Sequence, residues 1–125
     1  MLPQVQVPGA LGERQLAQSR PGNTNATAIL TTTNAGSTMV TSMYVCNTTG
    51  TTATYRIFHD LDGTTYDQTT ALFYDVPVAG NTTEVIDFAS RGLALGSRGD
   101  ALAVRTGTAS ALTFTAYGYT LPIAG

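Results

Sequence analysis

Eight short runs rich in β-branched, aliphatic and aromatic residues, separated by seven clusters of turn residues, constrain this chain more than any other feature. The runs are Thr27–Thr33, Thr38–Asn47, Ala53–His59, Thr70–Val76, Thr82–Phe88, Leu93–Leu95, Asp100–Thr106 and Ala111–Thr120. Between them lie NAGS, NTTGTT, DLDGTT, PVAGN, ASRG, GSRG and TGTAS, which supply Gly, Asn, Asp or Ser where turns need them. No window keeps an apolar i, i+3, i+4, i+7 pattern for three turns, so a helix has no face to bury. The spacing predicts an all-β domain: an antiparallel sandwich or jelly roll of seven to eight strands.

Ahead of these runs the text is different. Residues 1–26 hold three prolines (Pro3, Pro8, Pro21), four glutamines and scattered glycines, with neither helical nor sustained strand period. We read them as an extended N-terminal arm, followed by a β-sandwich domain over residues 27–125. The arm's apolar side chains, Leu2, Val5, Val7, Leu11 and Leu16, are too sparse to form a private core. They are the candidate partner-binding residues. The alternation QVQV, Gln4 to Val7, can add one edge strand to a neighbouring sheet.

A chain of 125 residues suits one domain with a real core. Only 11% of its residues are charged, against roughly 25% in a typical soluble domain. Lysine is absent, and threonine occurs 23 times. Such a surface is polar yet carries few ions to desolvate, which favours burial against another protein. The net charge of −2 and six dispersed arginines form no basic stripe, which argues against nucleic acid as a partner. No apolar run approaches the ~20 residues that span a bilayer, so no membrane role is expected. The N-terminus lacks the basic start and apolar stretch of a signal peptide. One cysteine cannot close an intramolecular disulfide, and folding in a reducing cytoplasm is expected.

The stretch YVCNTTGTTATYRIFHD, Tyr44 to Asp60, holds the sole cysteine and the sole histidine. A Cys–His nucleophilic pair needs the two within hydrogen-bond reach and a third group to orient the imidazole. Strand alternation puts Tyr55, Ile57 and His59 on one face and Arg56 and Phe58 on the other; Val40, Ser42, Tyr44 and Cys46 share a face of the preceding strand. Cys46 lies near the hairpin loop and His59 some six residues from it, so no pairing is expected. Only Glu13 and Glu84 supply glutamates and the aspartates sit mostly in turns, so nothing argues for a glycosidase-like carboxylate pair. No catalytic residue, cofactor or metal site is expected.

Four other matches have plain structural readings. DLDG, Asp60 to Gly63, resembles the start of a calcium loop but lacks the downstream glutamate and the flanking helices. RGD, Arg98 to Asp100, matches an integrin-binding tripeptide, yet GSRGD also suits a tight turn into a strand. The sequons at Asn25, Asn47 and Asn81 follow from threonine abundance. Tyr55, Tyr66, Tyr74, Tyr117 and Tyr119 can line a sugar platform, but such residues more often fill a sandwich core or a subunit interface.

The C-terminal two-thirds resembles small β-sandwich virion proteins of tailed bacteriophages, including head-decoration (cement) proteins. The resemblance rests on four phrases: an aliphatic strand ending in Cys-Asn (Val45–Asn47), a Pro-x-x-Gly-Asn-Thr turn (Pro77–Thr82), the run Gly92–Val104, and an aromatic-Gly close (Tyr117–Gly118). It covers roughly residues 38 to 120 and implies no catalytic residues. It implies a virion protein on the capsid surface, assembled in the host bacterial cytoplasm. Its partners would be the major capsid protein and itself, as a homotrimer. Tail, collar or baseplate components, and a carbohydrate- or receptor-binding module, are the competing roles.

Overall fold

A computed structural model describes residues 13–33, 37–88, 92–96 and 98–121. Nine strands run through them: β1 Arg14–Ser19, β2 Thr27–Thr31, β3 Ser37–Asn47, β4 Ala53–Asp60, β5 Ala71–Val78, β6 Thr83–Asp87, β7 Leu93–Leu95, β8 Ala101–Thr106 and β9 Leu112–Leu121. They form two packed antiparallel sheets. One has the order β1-β9-β3-β6, with β7 also paired to β3; the other has the order β2-β8-β4-β5. The protein is all-β, as the turn spacing predicts. Among the described residues, no helix is long and apolar enough to cross a membrane.

Period-two alternation builds the core. Ala53, Tyr55 and Ile57 of β4 point inward with Leu102 and Val104 of β8, and meet Val40, Met43, Val45, Leu112, Phe114 and Ala116 of the facing sheet. A chain of ring contacts runs through this interior. Phe114 meets Tyr55 at 6.2 Å, Tyr55 meets Phe73 at 6.2 Å, and Phe73 meets Phe88 at 6.4 Å. Tilted and edge-on contacts of this kind add to the area that each ring buries. Phe58 points outward, as expected from its neighbours, yet is only 1% exposed. Tyr66, from the loop after β4, lies 6.2 Å from it and roofs this side of the sheet.

Three expectations need correction. First, residues 14–19 of the expected arm form β1 on the edge of β9. The local text RQLAQS has weak strand propensity; the long free edge of β9 supplies the ladder, so tertiary context overrides it. The next residues are held too: Ser110 N–H donates to the Pro21 carbonyl (2.9 Å), and Arg105 Nε donates to the Thr24 carbonyl (2.8 Å). The sandwich therefore begins at β1, not at residue 27.

Second, β3 does not alternate strictly. A bulge between Val40 and Ser42 adds one residue against β9 and shifts the parity. Val40 thus faces inward with Met43 and Val45, while Ser42, Tyr44 and Cys46 face out. The bulge sits where Gly118 of β9 approaches, since a Cβ on Gly118 would lie 1.8 Å from the Met39 carbonyl oxygen.

Third, the apolar positions of the strand runs predict a core of Ile29, Val40, Val45, Ile57, Phe58, Phe73, Val85, Phe88, Leu95, Leu102, Val104, Leu112, Phe114 and Tyr117, and two of these are misplaced. Val85 pairs with Tyr44 and is 55% exposed, while its neighbour Ile86 pairs with Met43 and is buried. Tyr117 lies opposite Ser42 on the outer face. Of the remaining expected core, Val40, Val45, Ile57, Phe58, Leu95, Leu102, Val104, Leu112 and Phe114 are buried, and Ile29, Phe73 and Phe88 are partly so. Pro77 sits opposite Thr54 on β5, an outer strand of its sheet, where a missing donor costs no ladder bond.

Candidate functional site

His59 and Cys46 lie on different sheets. Cys46, half-buried, faces out from β3 near the 48–52 loop. His59 lies near the opposite end of the other sheet, in β4, and its Nε2 is 2.6 Å from Oδ1 of Asp100. No Cys–His pair exists. The partner that the imidazole does have is 41 residues away and was not apparent from the hairpin alone.

Asp100 anchors this end of the molecule. Its Oδ2 accepts the Gly96 N–H (3.0 Å). Its carbonyl accepts the Thr32 N–H (2.9 Å), and the Thr32 carbonyl accepts the Gly99 N–H (2.8 Å). Gly99 takes φ 88°, which favours glycine. In the RGD tripeptide only Arg98 is exposed; Asp100 is 2% exposed. An integrin-type receptor would have no carboxylate to engage.

The DLDG carboxylates cap their own turn. Asp60 Oδ2 accepts the N–H groups of Thr64 (2.8 Å) and Thr65 (2.7 Å), and Asp62 Oδ1 accepts the Thr64 hydroxyl (2.7 Å). The bond from the Thr64 hydroxyl holds the Asp62 carboxyl below its ordinary range, with the hydrogen bond to Asp60 helping. Among the described residues no group of three or more His, Cys, Asp or Glu is placed to hold a metal.

At the other end, Asn47 is 1% exposed and fully engaged. Its Nδ2 donates to the carbonyls of Thr51 (2.8 Å) and Val78 (2.9 Å), and its Oδ1 accepts the Thr49 N–H (2.9 Å). The Asn81 N–H donates to the Thr49 carbonyl (2.8 Å), with Asn81 at φ 59°. Cys-Asn and Pro-x-x-Gly-Asn-Thr thus lock two loops together. Asn47 is inaccessible as a sequon, whereas Asn25 and Asn81 are exposed.

The tyrosines do not converge as one platform. Tyr55 is buried; burial, then the nearby Glu84 charge, pushes its phenol up from the usual range. Tyr66 roofs Phe58. Tyr74 is exposed on the second sheet, where the Arg56 guanidinium stacks 3.9 Å from its ring centroid and also binds Asp75 at 2.7 Å. Tyr119, half-buried, pairs with Met39.

Tyr117 instead meets Tyr44 of β3, a residue outside the five tyrosines expected to line a platform. Their centroids are 5.4 Å apart at 81°, edge to face, on the outer side of the first sheet. A shallow depression of about 530 Å³ opens over them, lined by Glu13, Arg14, Gln15 and Ser42 as well. The diagonal pairing of β3 with β9 makes this contact, so the signal lay in the register and not in either strand.

Of the candidate partner residues, Leu16 lies in β1 and is partly buried against the core, so it serves its own sheet. Leu2, Val5, Val7 and Leu11 lie outside the described residues. Comparison with known proteins finds no matching family model, no matching characterised protein and no matching solved structure.

Proposed function

We propose that this chain is a structural virion protein of a tailed bacteriophage, a decoration protein that binds the outer capsid shell and stabilises it. The observation that carries this reading is the use made of the chemically capable side chains. His59 and Asp100 bind each other, Asp60 and Asp62 cap a turn, and Asn47 joins two loops. These side chains hold strands, turns and loops together, which supports a structural role.

The fold within that reading is a jelly roll. The order β1-β9-β3-β6 facing β2-β8-β4-β5 supports it, with β6 and β7 taken as one interrupted strand along the same edge of β3. Two interleaved Greek keys give that order, and such domains serve in viral capsids and in lectins. Fold alone does not fix function.

The chain would act as a homotrimer on the major capsid protein, with several modest contacts summed by multivalency. Residues 1–12 would supply a tether. The test is the copy number in purified particles together with co-sedimentation on undecorated capsids. Hundreds of copies and saturable capsid binding are expected. About a dozen copies would assign the chain to the tail, collar or baseplate and overturn the capsid role.

A further inference from the structure

The geometry points to a binding site for a neutral oligosaccharide in the depression over Tyr44 and Tyr117, a role independent of where the chain sits in a particle. The depression lies along one cross-strand row. Gln15 of β1 is opposite Tyr117 of β9, which is opposite Ser42 of β3, and Tyr44 is the diagonal neighbour. Its volume of about 530 Å³ is in the range of small-molecule sites.

The chemistry of the lining selects the ligand class. The two rings meet edge to face rather than stacked, and Tyr44 is 42% exposed, so aromatic surface stays open to the depression. A pyranose presents C–H bonds on one side and hydroxyls around its rim, so it packs flat on such a ring. Three consecutive residues that end in planar polar groups, Glu13, Arg14 and Gln15, also line the depression. Each can bridge adjacent hydroxyls with two parallel hydrogen bonds. Two of the three are already positioned, since the Thr41 hydroxyl donates to Glu13 Oε2 and Arg14 Nη2 donates to the Thr120 hydroxyl (3.4 Å). One positive and one negative charge balance, which favours neither an anionic nor a cationic ligand.

The test titrates the full chain with neutral oligosaccharides of glucose, galactose, mannose and rhamnose, read by saturation-transfer NMR. At least one is expected to bind. Tyr117→Ala and Tyr44→Ala should each weaken it by about tenfold or more, as loss of an aromatic contact implies. Tyr117→Phe, which keeps the ring, should stay within about threefold on the same reasoning. Tyr74→Ala, on the other sheet, should bind as the parent does. If Tyr117→Ala fails to fold, the exposed Tyr44 carries the test. Silence from the whole panel, an equal loss in Tyr74→Ala, or tighter binding of a uronic-acid oligosaccharide titrated alongside would overturn the assignment.

Discussion

His59 Nε2 and Asp100 Oδ1, 2.6 Å apart, tie the end of β4 to the residue just ahead of β8. The carboxylate is 3% exposed and the imidazole 23%. Removing either partner leaves the other underbonded in a largely dry place, which costs about 1–3 kcal/mol. Asp100→Ala should be the worse of the two, because it also strips the Gly96 N–H of its acceptor. Urea unfolding of both single variants and the double variant gives the coupling. Single variants with the parental midpoint would make the contact incidental.

Gly80 is a steric requirement. A Cβ there would lie 2.3 Å from the Gly50 carbonyl carbon and 2.8 Å from the Thr51 nitrogen, both rigid backbone. Gly80→Ala should therefore force the two loops around Asn47 apart, at about 1–3 kcal/mol by analogy with overpacked cores. Gly50→Ala should be nearly neutral, since its nearest atom would be the Asn81 Nδ2 at 3.8 Å. Equal melting temperatures for the two variants would contradict this.

Acid should weaken the fold through named aspartates. Asp75 is held below its ordinary 3.8 first by the hydrogen bond from Arg56, Asp67 first by the Thr69 hydroxyl, and Asp62 first by the Thr64 hydroxyl. A depressed folded value contributes stability above the unfolded value, and that stability is lost as pH falls through the folded one. Urea midpoints measured from pH 6 down to pH 2 should fall mainly below 3.8. In Asp75→Asn the drop should be shallower; an unchanged acid limb would show that this pair contributes nothing.

Phe114 is fully buried against Tyr55. Phe114→Ala should cost about 3–5 kcal/mol. Val85→Ala, at a side chain 55% exposed on the outer face, should stay within about 0.5 kcal/mol. Chemical denaturation of the two variants tests the assignment of faces, and a loss at Val85 as large as at Phe114 would reverse it.

These two residues also mark how far the sequence could be read. The strands after residue 26 were legible because turn clusters bracket β-branched runs, and Phe114 sat at a secure parity within its strand. Val85 did not, since both Val85 and Ile86 are apolar and only the pairing with β3 selects the inward one. The bulge after Val40 was hidden for a related reason: a β-branched run reads the same with or without an extra residue. The Tyr44–Tyr117 and His59–Asp100 contacts join residues far apart in sequence, through pairings that composition does not encode. The turn functions of Asp60 and Asp62 were local, and were legible as such.

The boundary between arm and sandwich gives the last prediction. Removing residues 2–24 takes away β1 with its β9 pairing, and with it Leu16 from the core. That truncation should lower the melting temperature and leave β9 as an open edge prone to association. Removing residues 2–12 spares β1. The apolar side chains it deletes, Leu2, Val5, Val7 and Leu11, would each gain roughly 1.5–3 kcal/mol on full burial. Ordering costs about 1–2 kcal/mol per residue over the whole segment. Burial of four side chains cannot offset that cost without a partner, so the shorter truncation should melt as the full chain does. Its binding to undecorated capsids should fall sharply, because the proposed tether is gone. Undiminished capsid binding by the shorter truncation, measured by co-sedimentation, would move the interface to the sandwich itself.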